Sequence, residues 1–313
     1  MTGPGAAPLD VLYVGGMGRS GSTLTDLMLD SLEGHVAVGE LFYLWRNGVL
    51  HDGLCACGAA FSGCPFWSAV GHQAFGGWRK ADGERAVRLQ ETVDRTACIP
   101  LLLSPRRPAA FQAALEEYTD ILQRLYTAIA TVSGARVVVD SSKRPSLAFV
   151  LRAMPGLRLT VAHVVRDPRG VAYSFAKHVA LPEGAALRQT QPRTGTLRVA
   201  RRWVTVNALI GSLSSLGVRS VRVRYEDLVR DPVRELTRVA AAEGLGCRAD
   251  PDVVSEQGLR VPATHVVAGG RIRLADGVLP LRLDDAWRRD MPERARRLVT
   301  ALTLPSRARY GYL

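Results

Sequence analysis

The sequence has little lysine and no cluster of either charge. Of its 41 Lys and Arg residues, three are lysines (Lys80, Lys143 and Lys177), and the formal net charge is +12. Such a surplus indicates an anionic partner, but nucleic-acid binding favours clustered basic residues and here they are scattered. A phosphate- or sulfate-bearing small molecule is therefore the expected partner rather than nucleic acid. Because lysine is rare here, a lysine that lies inside a motif is a candidate functional residue.

Other absences narrow the class of protein. The first ten residues show no basic segment followed by an apolar one, so we expect no signal peptide. The longest uncharged stretch, 53–78, is rich in Gly, Ser, Cys and Pro and would not span a bilayer as a helix. Five cysteines, an odd number, argue against a disulfide framework. We expect a soluble, cytoplasmic protein with no membrane span.

Four short apolar segments end in polar turns and alternate with helical patterns. The predicted strands are 10–14, 136–140, 157–165 and 219–224, and the predicted helices are 82–96, 108–132, 145–153, 168–179, 196–216 and 232–243. This alternation predicts an α/β fold with a doubly wound parallel sheet flanked by helices. Because ligands bind such sheets at the carboxyl ends of the strands, the polar turns should form one site.

The remaining segments carry weaker patterns. We expect 48–80 to be an irregular Cys-rich insertion, 244–283 to be a long loop near the site, and 284–313 to form one or two helices. No linker composition separates two parts of the chain, which predicts a single domain over 1–313.

The turn after the first strand is rich in glycine and hydroxyl residues. GGMGRSGST almost fits the nucleotide-binding pattern G-x-x-x-x-G-K-[ST], but Ser22 stands at the lysine position and the basic residue, Arg19, lies inside the loop. A loop between a strand and a helix presents backbone N–H groups to an anion, and the helix dipole adds favourable potential. The sequence therefore predicts an anion-binding loop that differs from the loop of kinases.

Three motifs together resemble the sulfotransferase family, whose enzymes use 3′-phosphoadenosine 5′-phosphosulfate (PAPS). GRSGSTL resembles the family's 5′-phosphosulfate loop, and VVRDPRGVAYSF places Ser174 eight residues after Arg166, like the family's pair for the 3′-phosphate of the donor. RYEDLVRDP at 224–232 follows the fourth strand, as in many bacterial, carbohydrate and tyrosylprotein sulfotransferases. The resemblance runs from about residue 10 to residue 290 and is greatest to the tyrosylprotein and carbohydrate branch.

The resemblance implies a P-loop-like fold, PAPS as the donor, 3′-phosphoadenosine 5′-phosphate (PAP) as the product, and no metal requirement. It implies that Arg19 holds the oxygen between phosphorus and sulfur, and that the Arg166 guanidinium and a hydroxyl in the first turn of the next helix meet on one phosphate. The family's late K-G-x-x-G-x-W segment has its nearest counterpart in HVVAGGRIR at 265–273. The expected donor contacts are Arg19, Ser20, Gly21, Ser22, Thr23, Leu24, Arg166, Ser174, Tyr225, Arg271 and Arg273.

Two further residues are candidates for the chemistry. Glu40 follows Arg19 by 21 residues and stands just after a glycine. The catalytic glutamate of tyrosylprotein sulfotransferases has the same position, so the resemblance makes Glu40 the candidate base. The alternative is a carboxylate that caps a helix. Lys143, just past the second strand, resembles the family's basic or serine-rich turn near the sulfuryl group. Nearby Asp140 offers a Walker B-like carboxylate, with a helix cap or an ion pair as alternatives.

Cys55, Cys57 and Cys64 form a cluster, CxC followed six residues later by a third cysteine. The spacing lacks the paired C-x₂-C of common zinc sites, so we expect a packing role. The alternative is a zinc site with His51 or His72 as the fourth ligand.

The sequence thus predicts a PAPS-dependent O-sulfotransferase of secondary metabolism acting on a small-molecule, lipid or glycan hydroxyl, with a homodimer allowed. The alternatives are a P-loop small-molecule kinase and a non-catalytic nucleotide- or nucleic-acid-binding protein. Acceptor contacts are expected from 41–80, 100–112 and 179–195. The aromatic residues there predict a partly apolar cleft: Trp45, Phe66, Trp67, Phe75 and Trp78.

Overall fold

A computed structural model describes residues 8–177, 194–255, 258–261, 263–275 and 277–313. Its centre is a five-stranded parallel sheet in the order β2-β3-β1-β4-β5. The strands are β1 (Leu9–Gly16), β2 (His35–Ala37), β3 (Val137–Lys143), β4 (Leu157–Val165) and β5 (Arg219–Arg224). All four predicted strands are confirmed. The sequence analysis missed β2, because three residues are too few to show a pattern.

Helices cover both faces of this sheet, which confirms the predicted α/β fold. They are α1 (Ser22–Leu29), α2 (Pro65–Phe75), α3 (Lys80–Val93), α4 (Ile99–Leu103), α5 (Ala109–Ser133), α6 (Pro145–Arg152), α7 (Pro168–Ala176), α8 (Thr196–Ser212), α9 (Tyr225–Arg230), α10 (Pro232–Glu243), α11 (Trp287–Asp290), α12 (Glu293–Leu302) and α13 (Leu304–Tyr310). None of the helices in the described part of the chain has both the length and the apolar composition needed to cross a bilayer.

The central strand β1 feeds two separate hydrophobic cores. Val11 and Tyr13 pack on one face, in the core that includes α5 and α6, while Leu12 and Val14 pack on the other, in the core that includes α1 and α10. Alternate strand residues point to opposite faces, so a strand buried on both sides must be apolar throughout. The strand order places β3 on one side of β1 and β4 on the other. In an open α/β sheet this reversal of strand order opens a crevice at the carboxyl end of the central strand.

The Cys-rich insertion is more regular than expected. It contains α2, and its Trp67 ring is 0% exposed and stacks on Phe61 at 5.5 Å. The predicted apolar cleft is therefore wrong for Trp67, which forms core, whereas Trp45, Phe75 and Trp78 line a cavity of about 330 Å³. The glycines and cysteines around α2 hid its helical pattern from sequence analysis.

The late segment 244–283 is also partly ordered. It contains a small antiparallel sheet of β6 (Val254–Ser255), β7 (Gly258–Arg260) and β8 (Val278–Leu279). Between β7 and β8 the chain returns to the central sheet, where Val267 N donates to Val38 O at 3.1 Å. This contact brings the late segment to the edge of the crevice, as the sequence predicted for a loop near the site.

Candidate functional site

The loop between β1 and α1 has the backbone of an anion-binding turn. Gly16, Arg19 and Gly21 have positive φ angles of 144°, 68° and 89°. A Cβ on Gly21 would lie 2.6 Å from the Tyr225 ring, so the close packing there requires glycine. No side chain among the described residues caps the N-terminus of α1. Its first N–H groups are thus left for another partner.

Two side chains of this loop lack the partners that buried polar groups usually have. The Arg19 guanidinium is half-buried, and its burial lowers its pKa. Within the described residues it forms no ion pair; its nearest aromatic contact is Phe175, whose ring centre is 5.7 Å away. Ser20 is 1% exposed, and its hydroxyl has no hydrogen-bond partner in the described chain. Because such groups cost free energy when left unpaired, the loop fits an anionic ligand.

Glu40 and Lys143 are joined by an ion pair. Lys143 Nζ lies 2.5 Å from Glu40 Oε1, and the two side chains are 17% and 11% exposed. Lys143 ends β3 at a positive φ of 66°, opposite Gly15 of β1, which places it beside the anion-binding loop. Glu40 precedes a short 3₁₀ turn but makes no capping hydrogen bond. Its predicted alternative role as a helix cap is therefore not observed.

Arg166, at the carboxyl end of β4, is 6% exposed and reaches the same loop. It donates to the backbone oxygen of Arg19 at 3.2 Å and stands over the Tyr225 ring at 4.5 Å. The guanidinium also donates to the backbone oxygen and the carboxylate of Asp284, at 2.6 and 2.9 Å. Arg166, Arg19 and Tyr225 thus form one connected group.

Asp284 is a site residue that the sequence analysis missed. Burial tends to raise the pKa of its carboxyl, but the hydrogen bond and charge of Arg166 outweigh burial, and the pKa lies below its ordinary value. No motif marks this residue, which lies just before α11, a helix that packs against α7. Its carboxylate takes the place on Arg166 that the resemblance assigns to a phosphate.

The other expected donor contacts surround this group. Ser174 lies in the second turn of α7 rather than the first, because the helix begins at Pro168; it is partly buried. Thr23 accepts a hydrogen bond from Gly270 N at 2.9 Å, which ties the late segment to the loop. Arg271 is exposed, whereas Arg273 is buried and donates to Val266 O at 3.2 Å. Leu24 belongs to the first turn of α1 and packs against the core.

Asp140 does not have the role of a metal-binding carboxylate. One oxygen accepts hydrogen bonds from the backbone and hydroxyl of Ser142, at 2.8 and 2.5 Å, and the other accepts from the Tyr126 hydroxyl at 2.5 Å. Burial raises its pKa to about 6. Because hydrogen bonds occupy both carboxylate oxygens, neither the Walker B-like role nor the predicted cap or ion pair is observed in the described part of the chain, and the kinase alternative loses its main support.

The histidines are distributed differently from the alternatives that the sequence offered. His265 lies with Cys55, Cys57 and Cys64, all four ligand atoms being within 4.8 Å of one another, and neither His51 nor His72 belongs to that group in the described structure. Residues 178–193, which include most of the segment 179–195 predicted to contact the acceptor, lie outside the described residues.

Comparison with known protein families identifies one family for this chain. The sequence model described as "Sulfotransferase family" matches residues 12–249. Three similar solved structures are the sulfotransferase domain of the Synechococcus PCC 7002 olefin synthase (21% identity, 97% of this chain and 98% of that chain, TM-score 0.48), a sulfotransferase from Alicyclobacillus acidocaldarius (14%, 97% and 94%, 0.41) and sulfotransferase STF9 from Mycobacterium avium (12%, 77% and 65%, 0.40). No curated protein matches the chain. The matched residues make up more than half of the chain, and the chain belongs to the sulfotransferase family.

Proposed function

We propose that this sulfotransferase takes its sulfuryl group from PAPS and transfers it to a hydroxyl of a small-molecule, lipid or glycan acceptor. The observation that carries the proposal is the pair of guanidinium groups at the loop: Arg19, which has no ion-pair partner among the described residues, and Arg166, which is bonded to the backbone of Arg19. PAPS carries a 3′-phosphate and a 5′-phosphosulfate, and these two anionic groups match the concentration of positive charge at the loop.

The donor-binding roles follow from where each group lies. The free N–H groups at the start of α1, together with the hydroxyls of Ser20 and Ser22, suit the 5′-phosphosulfate. Arg166 and Ser174 suit the 3′-phosphate, and the Tyr225 ring suits the adenosine. Binding there requires the Asp284 carboxylate to leave Arg166, and its 43% exposed side chain has room to turn towards solvent.

The Glu40–Lys143 pair supplies the acid–base chemistry. Glu40 accepts the proton of the acceptor hydroxyl while the acceptor oxygen forms its bond to sulfur. The bond between sulfur and the bridging oxygen breaks, and that oxygen leaves on PAP with the charge, which Arg19 stabilises. Once Glu40 is protonated, Lys143 loses its ion-pair partner, and its positive charge becomes available to the sulfuryl oxygens. In this scheme the chain provides all the cationic groups and no step needs a metal ion.

We also propose that the protein works in the cytoplasm. None of the five cysteines forms a disulfide, and three of them lie together, an arrangement that a reducing compartment preserves. PAPS-dependent transfer in this setting would act on small or lipid-linked hydroxyls rather than on secreted proteins.

The test is release of PAP from PAPS with a panel of alcohols, phenols, lipids and glycans, in buffer without magnesium. We expect turnover with at least one acceptor, no hydrolysis of ATP, and greater thermal stabilisation by PAP than by ATP with Mg²⁺. At about a hundred times its Kd, PAP should add about 2.7 kcal/mol to the free energy of unfolding.

Arg19→Ala should abolish this turnover, whereas Arg95→Ala, which removes an exposed arginine outside the site, serves as its control. Stronger stabilisation by ATP with Mg²⁺, or turnover that depends on magnesium, would contradict the proposal.

A further inference from the structure

The Cys-rich insertion and the late segment meet at a group of four potential metal ligands. Cys55, Cys57 and Cys64 come from one stretch of chain, and His265 lies 201 residues after Cys64. Sequence analysis predicted a packing role for these cysteines, because their spacing lacks the paired C-x₂-C of common zinc sites, and gave zinc binding with His51 or His72 as the alternative. The tertiary structure supplies the fourth residue from a distant segment.

Three of the six separations between the ligand atoms are close to those of a tetrahedral zinc site, and all six are within 4.8 Å. Zinc bonds of about 2.3 Å to sulfur and 2.0–2.1 Å to nitrogen place neighbouring ligand atoms about 3.4–3.8 Å apart. Here His265 Nδ1 lies 3.3 Å from Cys64 Sγ and 3.8 Å from Cys55 Sγ, and the Cys57 and Cys64 sulfurs are 3.7 Å apart. Three sulfurs and one imidazole nitrogen are a common ligand set of structural zinc sites.

The four side chains are held in place by contacts outside the group. The His265 ring stacks on Phe66 at 4.8 Å, with an angle of 6° between the planes, and its backbone oxygen accepts a hydrogen bond from Trp67 Nε1 at 2.8 Å. Cys64 stands at the start of α2, and the helix fixes its position in the chain. Cys55 N donates to Ala59 O at 2.9 Å, which closes the turn that carries Cys57.

From these observations we propose that Cys55, Cys57, Cys64 and His265 bind one structural zinc ion, which fastens the late segment to the Cys-rich insertion. A closed set of four protein ligands leaves no position for a substrate, so the ion takes no part in sulfuryl transfer. The proposal stands independently of the donor and acceptor proposed above.

The position of His265 explains what such an ion would secure. The next residue, Val266, accepts hydrogen bonds from Ala56 N at 3.1 Å and from Arg273 at 3.2 Å, and Ala268 O accepts from Glu40 N at 3.3 Å. Two residues further on, Gly270 N bonds to Thr23 of the anion-binding loop. A zinc ion at His265 would therefore hold the backbone that lies against both the candidate base and the loop.

The first test is elemental analysis of the full chain after removal of any affinity tag. We expect about one zinc per chain in the wild type and in Cys247→Ser, a control outside the group, and only a trace in Cys57→Ser. Cys57 is the exposed ligand, so its substitution disturbs packing least. Wild-type protein without zinc that also gains none on dialysis against zinc would overturn the proposal, as would equal zinc in Cys57→Ser.

A second test uses cobalt in place of zinc. Cobalt added to the apo wild type and to Cys247→Ser should give the visible absorption of tetrahedral thiolate coordination, and Cys57→Ser should give a weaker and different spectrum. Identical spectra from all three proteins would contradict the assignment of the ligands.

A third measurement separates bound zinc from a disulfide and from simple packing. A zinc chelator should lower the melting temperature of the wild type by at least about 4 °C and have no effect on Cys57→Ser. It should also speed cleavage by trypsin after the exposed Arg271. Thiol titration of the denatured, unreduced, chelated protein should detect all five cysteines; a shortfall of two would show a disulfide and refute the site.

Discussion

Replacing Arg166 with alanine should weaken the binding of PAP and leave the binding of adenosine 5′-phosphate nearly unchanged, because the two nucleotides differ by the 3′-phosphate. A charge-assisted hydrogen bond contributes about 1.5–3 kcal/mol. The phosphate must first displace Asp284, and a partly exposed ion pair of this kind is worth about 0–1 kcal/mol. The net loss is then about 0.5–3 kcal/mol, which corresponds to a PAP affinity about 2- to 150-fold weaker.

The same competition predicts an effect of opposite sign at Asp284. Asp284→Asn removes the negative charge that pairs with the Arg166 guanidinium. It should therefore tighten PAP binding by up to about fivefold, again with little change for adenosine 5′-phosphate. Asp285→Asn, the neighbouring carboxylate that faces Arg288 instead, is the matched control. Arg166→Lys keeps the charge but loses the planar fork, and an intermediate affinity is expected.

Titration calorimetry with both nucleotides measures these differences, and the melting temperature of each variant shows whether it is folded. The reasoning would be refuted by equal losses for PAP and adenosine 5′-phosphate in Arg166→Ala. Weaker PAP binding in Asp284→Asn would show that this carboxylate assists donor binding rather than competing with it.

Three further predictions concern the base, the core and the loop. Glu40→Gln should lower kcat by about 10²–10⁴ with a poorly acidic alcohol while PAP affinity stays the same, and near-normal turnover would exclude Glu40 as the base. Since burial raises the pKa of Asp140 to about 6 from an ordinary 3.8, the folded state binds more protons between about pH 4 and 6, and this carboxyl makes the protein less stable as the pH rises through that window. Urea unfolding should therefore show Asp140→Asn gaining up to about 3 kcal/mol relative to the wild type between pH 4 and pH 7, and a constant difference would contradict the shift. Gly21→Ala should lower the melting temperature more than Gly134→Ala does, and it should also weaken PAP binding. Both positions have positive φ, but only at Gly21 would the added methyl group press against Tyr225.

Much of the fold could be predicted because its signals are local. The strands at 137–143 and 157–165 contain apolar runs that end in charged turns, and burial on both faces requires that pattern, whereas the strand at 219–224 alternates between exposed and buried residues. The loop around Arg19 was identified from glycines and hydroxyls in consecutive positions. Lys143 was identified just past a predicted strand, and Glu40 from its spacing to Arg19, but the direct contact between them was not predicted.

The failures have a common physical cause, which is that their determinants are distant in sequence. β2 is short and is defined by pairing with β3, and Trp67 became core because it packs into the cluster that includes residues of α2, α3 and α5. Asp140 was open to a metal-binding interpretation until the Tyr126 hydroxyl of α5 met it.

The sequence by itself determined the order of strands and helices, the chemistry of the anion-binding loop and the family, because each depends on residues that are neighbours in the chain. Only the tertiary structure decided that the Asp284 carboxylate pairs with the Arg166 guanidinium and that His265 lies with the three cysteines. Both residues come from the late segment, whose position depends on packing against the finished sheet. Contacts between segments more than a hundred residues apart leave no periodic or local pattern, so they become visible only when the whole chain is folded.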